Sequence, residues 1–463
     1  MQLEWFRSAT VGLTSPSGVT VLCDPWITDG AFIGSWFHWP PLEGLEFDEL
    51  VARRWDFVYI SHLHADHFDR RLVAEIARRQ PWSKAIVADF SHPWLRGAVE
   101  RCGFTGNRLL VASDQERLSL GDLEVTVRTA DACDPTVCGT STPCSPLLDW
   151  NRAIDSVALF ESGGVRVLHA NDALAVASSA EVLRSLGRVD VLLGHYGGAG
   201  PFPQAFPDVV DKPAHARRLA YQFLHRLAAA AELVGARYVM PFAGQYQLGG
   251  HLASLNANRS VVPLDEAVSW LEEHCSATAI SLQPFRQVSL RDGELGTEWV
   301  EPSDDVLSDY LVQIERFHYP YERENESWPD AHAELSRAFE RVARLHDERV
   351  RSGLKMDPVS VQIVADPALA IVAAGGSDLS EHALTLDFGA DRLEGGVDCE
   401  PRSESLTRIS VDPRLLRRLL VRSPEYRGFT QMHWNQAEIG SHLRWRRWGA
   451  YDPTAHSFLN FLA

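Results

Sequence analysis

One short stretch, residues 58–67 (Val-Tyr-Ile-Ser-His-Leu-His-Ala-Asp-His), limits what this chain can fold into more than any other. The apolar run at 57–60 predicts a short buried strand. It is followed within six residues by three imidazoles and a carboxylate: His62, His64, Asp66 and His67. Alternate residues of an extended chain share a side, so His62 and His64 are expected to point the same way. This pattern predicts a site for one or two metal ions with nitrogen and oxygen ligands, rather than a histidine-rich surface turn.

The string H-x-H-x-D-H at residues 62–67 resembles the signature of the metallo-β-lactamase superfamily. Other segments look like the catalytic region of the CMP-N-acetylneuraminate hydroxylase family, and they occur in the same order at plausible spacings. These segments are residues 24–36, 60–67, 197–203 and 241–244, with a C-terminal pair at 432–435 and 451–453. The resemblance implies an α/β fold of the four-layer αββα sandwich type.

The length of 463 residues predicts two domains rather than one. The composition shifts after about residue 290, where a charged helical stretch begins. Predicted strands at 359–366, 383–388 and 407–411, followed by a helix at 413–421, suggest a small α+β domain with one sheet. We therefore expect a catalytic domain at 1–290 and a smaller C-terminal helical and α+β domain at 291–463.

Charge and hydropathy restrict the partners. A formal net charge of −18 argues against a nucleic acid as the main partner. No apolar run approaches the ~18 residues that a membrane span needs, so no membrane partner is expected. The N-terminal residues lack a basic region followed by an apolar core, and the cysteines are odd in number and scattered. A reducing cytoplasm is therefore the expected compartment.

Three cysteines lie close together, at Cys133, Cys138 and Cys144. Their spacing matches neither paired C-x-x-C motifs nor the ferredoxin runs. Ordinary loop thiols are therefore favoured over an iron–sulfur cluster or a redox pair.

A second predicted strand ends in His169-Ala-Asn-Asp172. A strand that ends in aspartate before a helix matches the superfamily's usual bridging aspartate, so the resemblance makes Asp172 a fifth ligand. The alternative is that Asp172 caps the following helix. Asp24, at the end of an earlier strand, is expected either to support a ligand histidine or to cap a turn.

The sequence departs from the superfamily pattern at two places. The histidine expected shortly before the strand at Ser156 is absent, and Asn151 or Asp155 would have to replace it. The last superfamily histidine, expected near 241–244, is absent too, as it is in the sialic-acid hydroxylases. His169 and His195 are the spare candidates for ligands, and His195 is also a candidate acid–base group; either could instead bond to the loop backbone.

Three loops are candidates for substrate binding: the aromatic loop at 26–39, the glycine-rich loop at 197–203 and the loop at 244–258. The glycine-rich loop lacks the Lys-Ser/Thr of a phosphate-binding loop, so its glycines are expected to let the backbone approach a small-molecule substrate. The residues predicted to contact substrate are Trp36, Gly198, Phe202 and Gly244.

The ligand types suit two chemistries. With zinc, a bound water loses its proton near neutral pH, and Asp66 would orient or deprotonate that water in a hydrolase of the lactonase or phosphodiesterase type. With iron, mixed His and carboxylate ligation suits an enzyme that activates O₂. A metal-binding protein without catalysis is a weaker third hypothesis.

The resemblance favours oxidation, which makes iron the expected cofactor and zinc the alternative. In the sialic-acid hydroxylases a Rieske domain supplies electrons to the metal site. This chain contains no paired C-x-H and C-x-x-H motifs, so electrons are expected from an external donor or from the substrate. The predicted reaction is the O₂-dependent oxidation or hydroxylation of a small polar metabolite.

Overall fold

The computed structural model describes residues 1–90, 92–129, 155–173, 176–291, 295–323, 328–369, 382–389, 391–420 and 430–462. Cys133, Cys138, Cys144 and Asn151 lie outside these ranges.

The strands are numbered in chain order. They are β1 (Gln2–Arg7), β2 (Thr10–Thr14), β3 (Thr20–Cys23), β4 (Trp36–His38), β5 (Phe57–Tyr59), β6 (Lys84–Ala88), β7 (Leu109–Ala112), β8 (Arg117–Leu120), β9 (Leu123–Thr129), β10 (Ser156–Ser162), β11 (Val165–Asn171), β12 (Val191–His195), β13 (Tyr238–Phe242), β14 (Tyr246–Leu248), β15 (Thr278–Ala279), β16 (Arg286–Ser289), β17 (Val359–Ala365), β18 (His382–Phe388), β19 (Leu393–Val397), β20 (Leu406–Val411) and β21 (Arg444–Trp448).

The helices are numbered in the same way. They are α1 (Glu46–Ala52), α2 (Arg70–Arg79), α3 (Trp94–Arg101), α4 (Val176–Leu186), α5 (Lys212–Leu233), α6 (Leu264–His274), α7 (Asp304–Ile314), α8 (Ala331–Arg351), α9 (Pro413–Leu420), α10 (Thr430–Ile439) and α11 (Pro453–Ser457). Short helical turns occur at Ala31–Gly34, Gly106–Arg108, Gly250–Asn258, Pro320–Arg323, Pro367–Leu369 and Phe458–Phe461.

Two seven-stranded sheets form the centre of the first part of the chain. Their strand orders are β16-β1-β2-β3-β5-β6-β7 and β15-β13-β12-β11-β10-β9-β8. In the first sheet β3, β5, β6 and β7 run parallel, and in the second β11, β12, β13 and β15 do. The remaining pairs in each sheet are antiparallel, so each half combines a meander with a parallel portion.

The two sheets pack face to face. Tyr59 of the first sheet meets Phe160 and His169 of the second, each with ring centroids 5.8 Å apart. Its hydroxyl lies 3.0 Å from Ser156 Oγ. Helix α3 contacts β6 of the first sheet, and α2 lies beside α3. Helices α5 and α6 contact the second sheet, and α4 lies beside α5. The predicted four-layer αββα sandwich is therefore confirmed.

The carboxyl ends of the parallel strands place polar side chains at one edge of the sandwich. The loop after β5 leads directly to α2, whose first turn is capped by Asp69 accepting from the backbone N–H groups of Arg71 and Leu72. Strands β11 and β12 end nearby in the second sheet. Parallel strands that end together are the usual position of a binding site in α/β proteins.

A third sheet, with order β19-β18-β17-β20-β21, lies in the C-terminal part. It shares a buried core with α8, α9 and α10, and that core also contains Phe32 and Trp36 from the first part of the chain. The domain boundary at residue 290 stays a prediction. Among the described residues, no helix has the length and apolar character to cross a membrane.

Candidate metal centre

The loop at residues 60–67 after β5 brings two histidine nitrogens together. His62 Nε2 lies 2.9 Å from His64 Nδ1. His62 Nδ1 lies 2.9 Å from Ser61 Oγ, to which it donates because that hydroxyl gives its own proton to Asp24 Oδ2. This leaves the lone pair of His62 on Nε2, which faces His64.

Asp172 lies between this histidine pair and the second half of the motif. Its Oδ2 lies 3.7 Å from His62 Nε2, and its Oδ1 lies 3.4 Å from His67 Nε2. Asp66 Oδ2 is 3.5 Å from the same nitrogen of His67. Three sets of ligand atoms converge. Two of them share Asp172: His62, His64 and Asp172; and Asp66, His67 and Asp172. The third consists of Asp24, His62 and His67.

Asp24 holds the second set in place. It follows β3 with a positive φ of 44° and is fully buried. Its Oδ1 accepts from the backbone N–H of Ser61 at 2.7 Å, and its Oδ2 accepts from His67 Nδ1 at 2.7 Å. Because His67 Nδ1 carries the proton of that bond, Nε2 is the nitrogen that can bind a metal.

Burial and mutual charge shift the ionisation of these groups. Burial raises the pKa of Asp66 to about 7, despite the nearby imidazole of His67. Burial lowers the pKa of His62 and His64. Burial would lower the pKa of His67 as well, but the carboxylates of Asp172, Asp66 and Asp24 outweigh it and raise that pKa well above its usual value.

The donor set fits a cation. Asp66 Oδ1 and His67 Nε2 are buried without a hydrogen-bond partner among the described residues. Buried polar atoms without partners are costly, and a metal ion bound to both would remove that cost. A metal would also replace the proton that the surrounding carboxylates otherwise hold on His67.

The two spare histidines lie at different distances from this centre. His195 donates from Nδ1 to the Asn171 carbonyl at 3.0 Å, and the same nitrogen lies 3.8 Å from Asp172 Oδ1. His169 is fully buried, with Nε2 3.9 Å from Asp24 Oδ2 and its ring 5.2 Å from that of Phe242. The structure thus brings His195 to the edge of the centre and places His169 between the sheets, outside all three sets of ligand atoms; the ligand roles of both stay predictions.

A family model described as "Beta-lactamase superfamily domain" matches residues 2–242. The chain belongs to the beta-lactamase superfamily. It is similar to a protein of Mycobacterium tuberculosis (strain ATCC 25618 / H37Rv) named as a Rieske 2Fe-2S iron-sulfur protein, with 31% identity over 237 residues. That match covers 49% of this chain and 40% of the relative, so the chain matches less than half of the relative's length.

Shorter similarities reach a cytidine monophosphate-N-acetylneuraminic acid hydroxylase of Asterias rubens, with 32% identity over 95 residues, 20% of this chain and 14% of that protein. Among solved structures, CmlA, a diiron β-hydroxylase from Streptomyces venezuelae, gives a TM-score of 0.40 at 19% identity, covering 62% of this chain and 53% of that one. A protein of Veillonella parvula DSM 2008, described as a possible metal-dependent hydrolase, gives 0.39 at 14% identity, covering 62% and 98%.

In this superfamily member, Asp155 stands near the first missing histidine position. It lies directly before β10, with Oδ1 3.8 Å from His62 Nδ1. Burial and the neighbouring Asp172 raise its pKa well above the usual value. At the second position β13 ends in Phe242, followed by Ala243. Asp155 is therefore an additional carboxyl group beside His62, on the side of the ring that carries Nδ1.

The residues predicted to bind substrate are tightly packed. Trp36 is stacked on Tyr246, with ring centroids 3.5 Å apart. A Cβ atom at Gly198 would lie 2.8 Å from the Phe223 ring, and one at Gly244 would lie 2.5 Å from the Tyr196 ring. Phe202 is half-buried, with its ring 5.2 Å from Phe206 and 5.6 Å from His215. Packing against aromatic rings thus explains both glycines, and contact with substrate stays a prediction at all four positions.

One residue that contacts the metal centre, Asn435, was not predicted from the sequence. Asn435 of α10 places Oδ1 2.9 Å from His64 Nε2, across 371 positions of sequence. The only sequence signal was that residues 432–435 form one of the segments resembling the hydroxylase family. No local pattern identifies which side chain of that segment faces the metal loop.

Proposed function

We propose that this protein is a metal-dependent oxidoreductase that uses one or two non-heme iron ions to oxidise or hydroxylate a small polar metabolite with O₂. The observation that carries the proposal is the cluster of buried and half-buried His and Asp side chains in which Asp172 faces both His62 and His67 through different oxygens. Mixed imidazole and carboxylate ligation suits iron that activates O₂.

The proposed ligands are His62 and His64 for one ion, Asp66 and His67 for the other, and Asp172 between them, with His195 at the edge. Iron at this position would supply one-electron chemistry and a place for O₂ to react. Asp66 is also the first proposed acid–base group, since the carboxylate oxygen that does not bind the ion can accept a proton from a neighbouring reactant. His195 is the second proposed acid–base group, since the Asn171 carbonyl fixes the proton on its Nδ1.

The sequence similarities support oxidation over hydrolysis. One curated relative is named as a hydroxylase and another as a Rieske iron–sulfur protein. We propose that electrons reach this centre from a separate redox partner or from the substrate. The substrate would enter near the loops that contain Trp36, Phe202 and Gly244.

A zinc-dependent hydrolase of the lactonase or phosphodiesterase type is the second candidate. The observation that favours it is the second oxygen of Asp66, Oδ2, which lies beside the ligand atoms at 3.5 Å from His67 Nε2. In a zinc enzyme that oxygen would orient or deprotonate an attacking water. The ligand types alone suit either metal.

The test compares iron-loaded with zinc-loaded full-length protein. Metal content is first measured on protein from cells supplied with both metals. Ferrous protein is then mixed with O₂ in a stopped-flow spectrophotometer, with His62→Ala as the control that lacks one ligand. We expect iron to be retained and to oxidise faster in the unmodified protein than free Fe²⁺ does. Hydrolysis of bis(p-nitrophenyl) phosphate or a lactone by the zinc form under anaerobic conditions, with no O₂ reaction of the iron form, would establish the hydrolase instead.

A further inference from the structure

We infer that Asn435, from the C-terminal part of the chain, is a positioning residue for the metal ligand His64. The inference concerns the metal centre required by the proposed function and does not depend on whether that centre oxidises or hydrolyses. Its basis is one contact: His64 Nε2 donates to Asn435 Oδ1 at 2.9 Å.

The contact decides which nitrogen of His64 can bind a metal. A neutral imidazole carries its proton on one nitrogen and a lone pair on the other. His64 Nδ1 faces His62 Nε2 at 2.9 Å, so Nδ1 must be free of its proton to act as a ligand. The proton then lies on Nε2, where the amide oxygen of Asn435 accepts it. Metal-binding histidines usually have such a partner on the nitrogen that does not bind the metal.

The same arrangement recurs at the neighbouring histidines. His62 Nδ1 is held by Ser61 Oγ at 2.9 Å, and His67 Nδ1 is held by Asp24 Oδ2 at 2.7 Å. Ser61 and Asp24 lie in or beside the metal loop. His64 differs because its partner comes from a distant part of the chain.

Asn435 is held firmly enough to fix a ring. It is 4% exposed, and its neighbour Trp434 is 2% exposed. Just beyond α10, a Cβ atom at Gly440 would lie 2.7 Å from the Phe32 carbonyl oxygen, so the chain is pressed against the loop beside His64. The rings of Phe32 and His64 lie 6.1 Å apart. The C-terminal end of α10 is therefore packed against the loop at 26–39, which lies beside His64.

A buried amide that served packing alone could be replaced by an apolar side chain of similar size at little cost. Asn435→Leu makes that replacement and leaves the Nε2–H of His64 without its acceptor. Asn435→Asp keeps an acceptor at the same position. Gln436→Leu and Gln436→Glu are matched controls, since Gln436 is the next residue of the same helix and lines a cavity beside Leu63 and Ala65 rather than bonding to His64.

The experiment measures the Zn²⁺ dissociation constant of the full-length protein by chelator competition, and the visible spectrum of the Co²⁺-loaded protein. We expect Asn435→Leu to weaken metal binding by about 10–100-fold and to change the Co²⁺ bands, the range found when a ligand's partner is removed. Asn435→Asp should keep or tighten wild-type binding. Both Gln436 variants should bind as the wild type does. Because Asn435→Leu leaves a buried donor without its acceptor, it should lose some stability in the metal-free form, so all affinities are compared at a temperature where every metal-free variant is folded.

The inference is overturned if Asn435→Leu binds Zn²⁺ with the wild-type constant and the wild-type Co²⁺ spectrum. It is also overturned if Asn435→Asp is as weak as Asn435→Leu, or if Gln436→Leu loses as much affinity, since either result assigns Asn435 a packing role. If Asn435→Leu fails to fold, Asn435→Ala carries the same test. Wild-type protein that binds no metal would overturn this inference together with the proposed function, whereas activity of the zinc form alone would overturn only the oxidation.

Discussion

Replacing Asp24 with Asn tests whether the outer contacts of the ligands control the centre. The substitution keeps the shape of the side chain and an oxygen to accept from the Ser61 N–H. It exchanges Oδ2, which accepts from Ser61 Oγ at 2.6 Å and from His67 Nδ1 at 2.7 Å, for an NH₂ group. A donor would then face two donors, and His67 could relieve the conflict only by moving its proton to Nε2.

That shift blocks the nitrogen that we propose as a metal ligand. Loss of such a partner typically weakens metal binding by about 10–100-fold. This corresponds to about 1.4–2.7 kcal/mol of binding free energy. In the metal-free protein, the unsatisfied donors should lower the free energy of unfolding by about 1–3 kcal/mol.

Chelator competition for the metal and urea unfolding of metal-free protein measure the two quantities separately. Asp69→Asn is the matched control: Asp69 is also buried and accepts from Thr28 Oγ1 at 2.7 Å and from two backbone N–H groups, but it bonds to none of the proposed ligands. It should lose stability and keep its metal affinity. Wild-type metal affinity in Asp24→Asn, or an equal loss in Asp69→Asn, would refute the reasoning.

Two further changes probe packing and ionisation. Gly244→Ala should lower the free energy of unfolding in urea by about 1–3 kcal/mol, because its Cβ would meet the buried Tyr196 ring; unchanged stability would contradict this. Burial lowers the pKa of His442 to about 3, although its bond to the Phe32 carbonyl opposes this. Below about pH 6.5 this histidine is protonated in the unfolded chain but stays neutral in the folded chain. The free energy of unfolding therefore falls by about 1.4 kcal/mol per pH unit toward pH 3 because of this group. His442→Gln, which can still bond to Phe32 and Tyr321, should lose less stability than the wild type between pH 6 and 4, and equal losses would contradict the assignment.

The sequence predicted those parts of the fold whose signals are local. The strand expected at 57–60 is present as β5 (Phe57–Tyr59), and the ligand string follows it as expected. The strand β2 (Thr10–Thr14) was not predicted, although it lies in the middle of the first sheet's meander. The chain reverses before it at Ser8, which has a φ of 42°. No glycine or proline marks that reversal, so the sequence gives no turn signal.

Candidate site residues, too, could be predicted where their signal is local in the sequence. Asp172 could be found because it ends a strand with a clear apolar pattern. His169 lies within β11, with Tyr59 and Phe242 between the sheets. Asp172 follows the strand after Asn171, which has a φ of 41°, so its side chain is placed by the loop and not by strand alternation. The contact between Asn435 and His64 depends on how the C-terminal part packs on the first, which no local periodicity encodes.

That packing also predicts how the two expected domains behave when separated. Phe32 and Trp36, buried aromatic residues of the first part, belong to the same core as Ile409 and Trp445 of the third sheet. Each fully buried side chain of this size stabilises the fold by about 1.5–3 kcal/mol relative to exposure. His442 adds a bond at 3.0 Å to the Phe32 carbonyl.

A fragment of residues 1–290 would expose Phe32 and Trp36 to water, and we expect it to unfold at a lower urea concentration than the full chain and to bind the dye ANS. Co-expression with residues 291–463 is the control and should restore the full-length behaviour. A fragment that unfolds with the full-length midpoint and binds no dye would show that the first part folds independently of the C-terminal core. The contact between Asn435 and His64 would then act on the metal site without being needed for the folding of the first part.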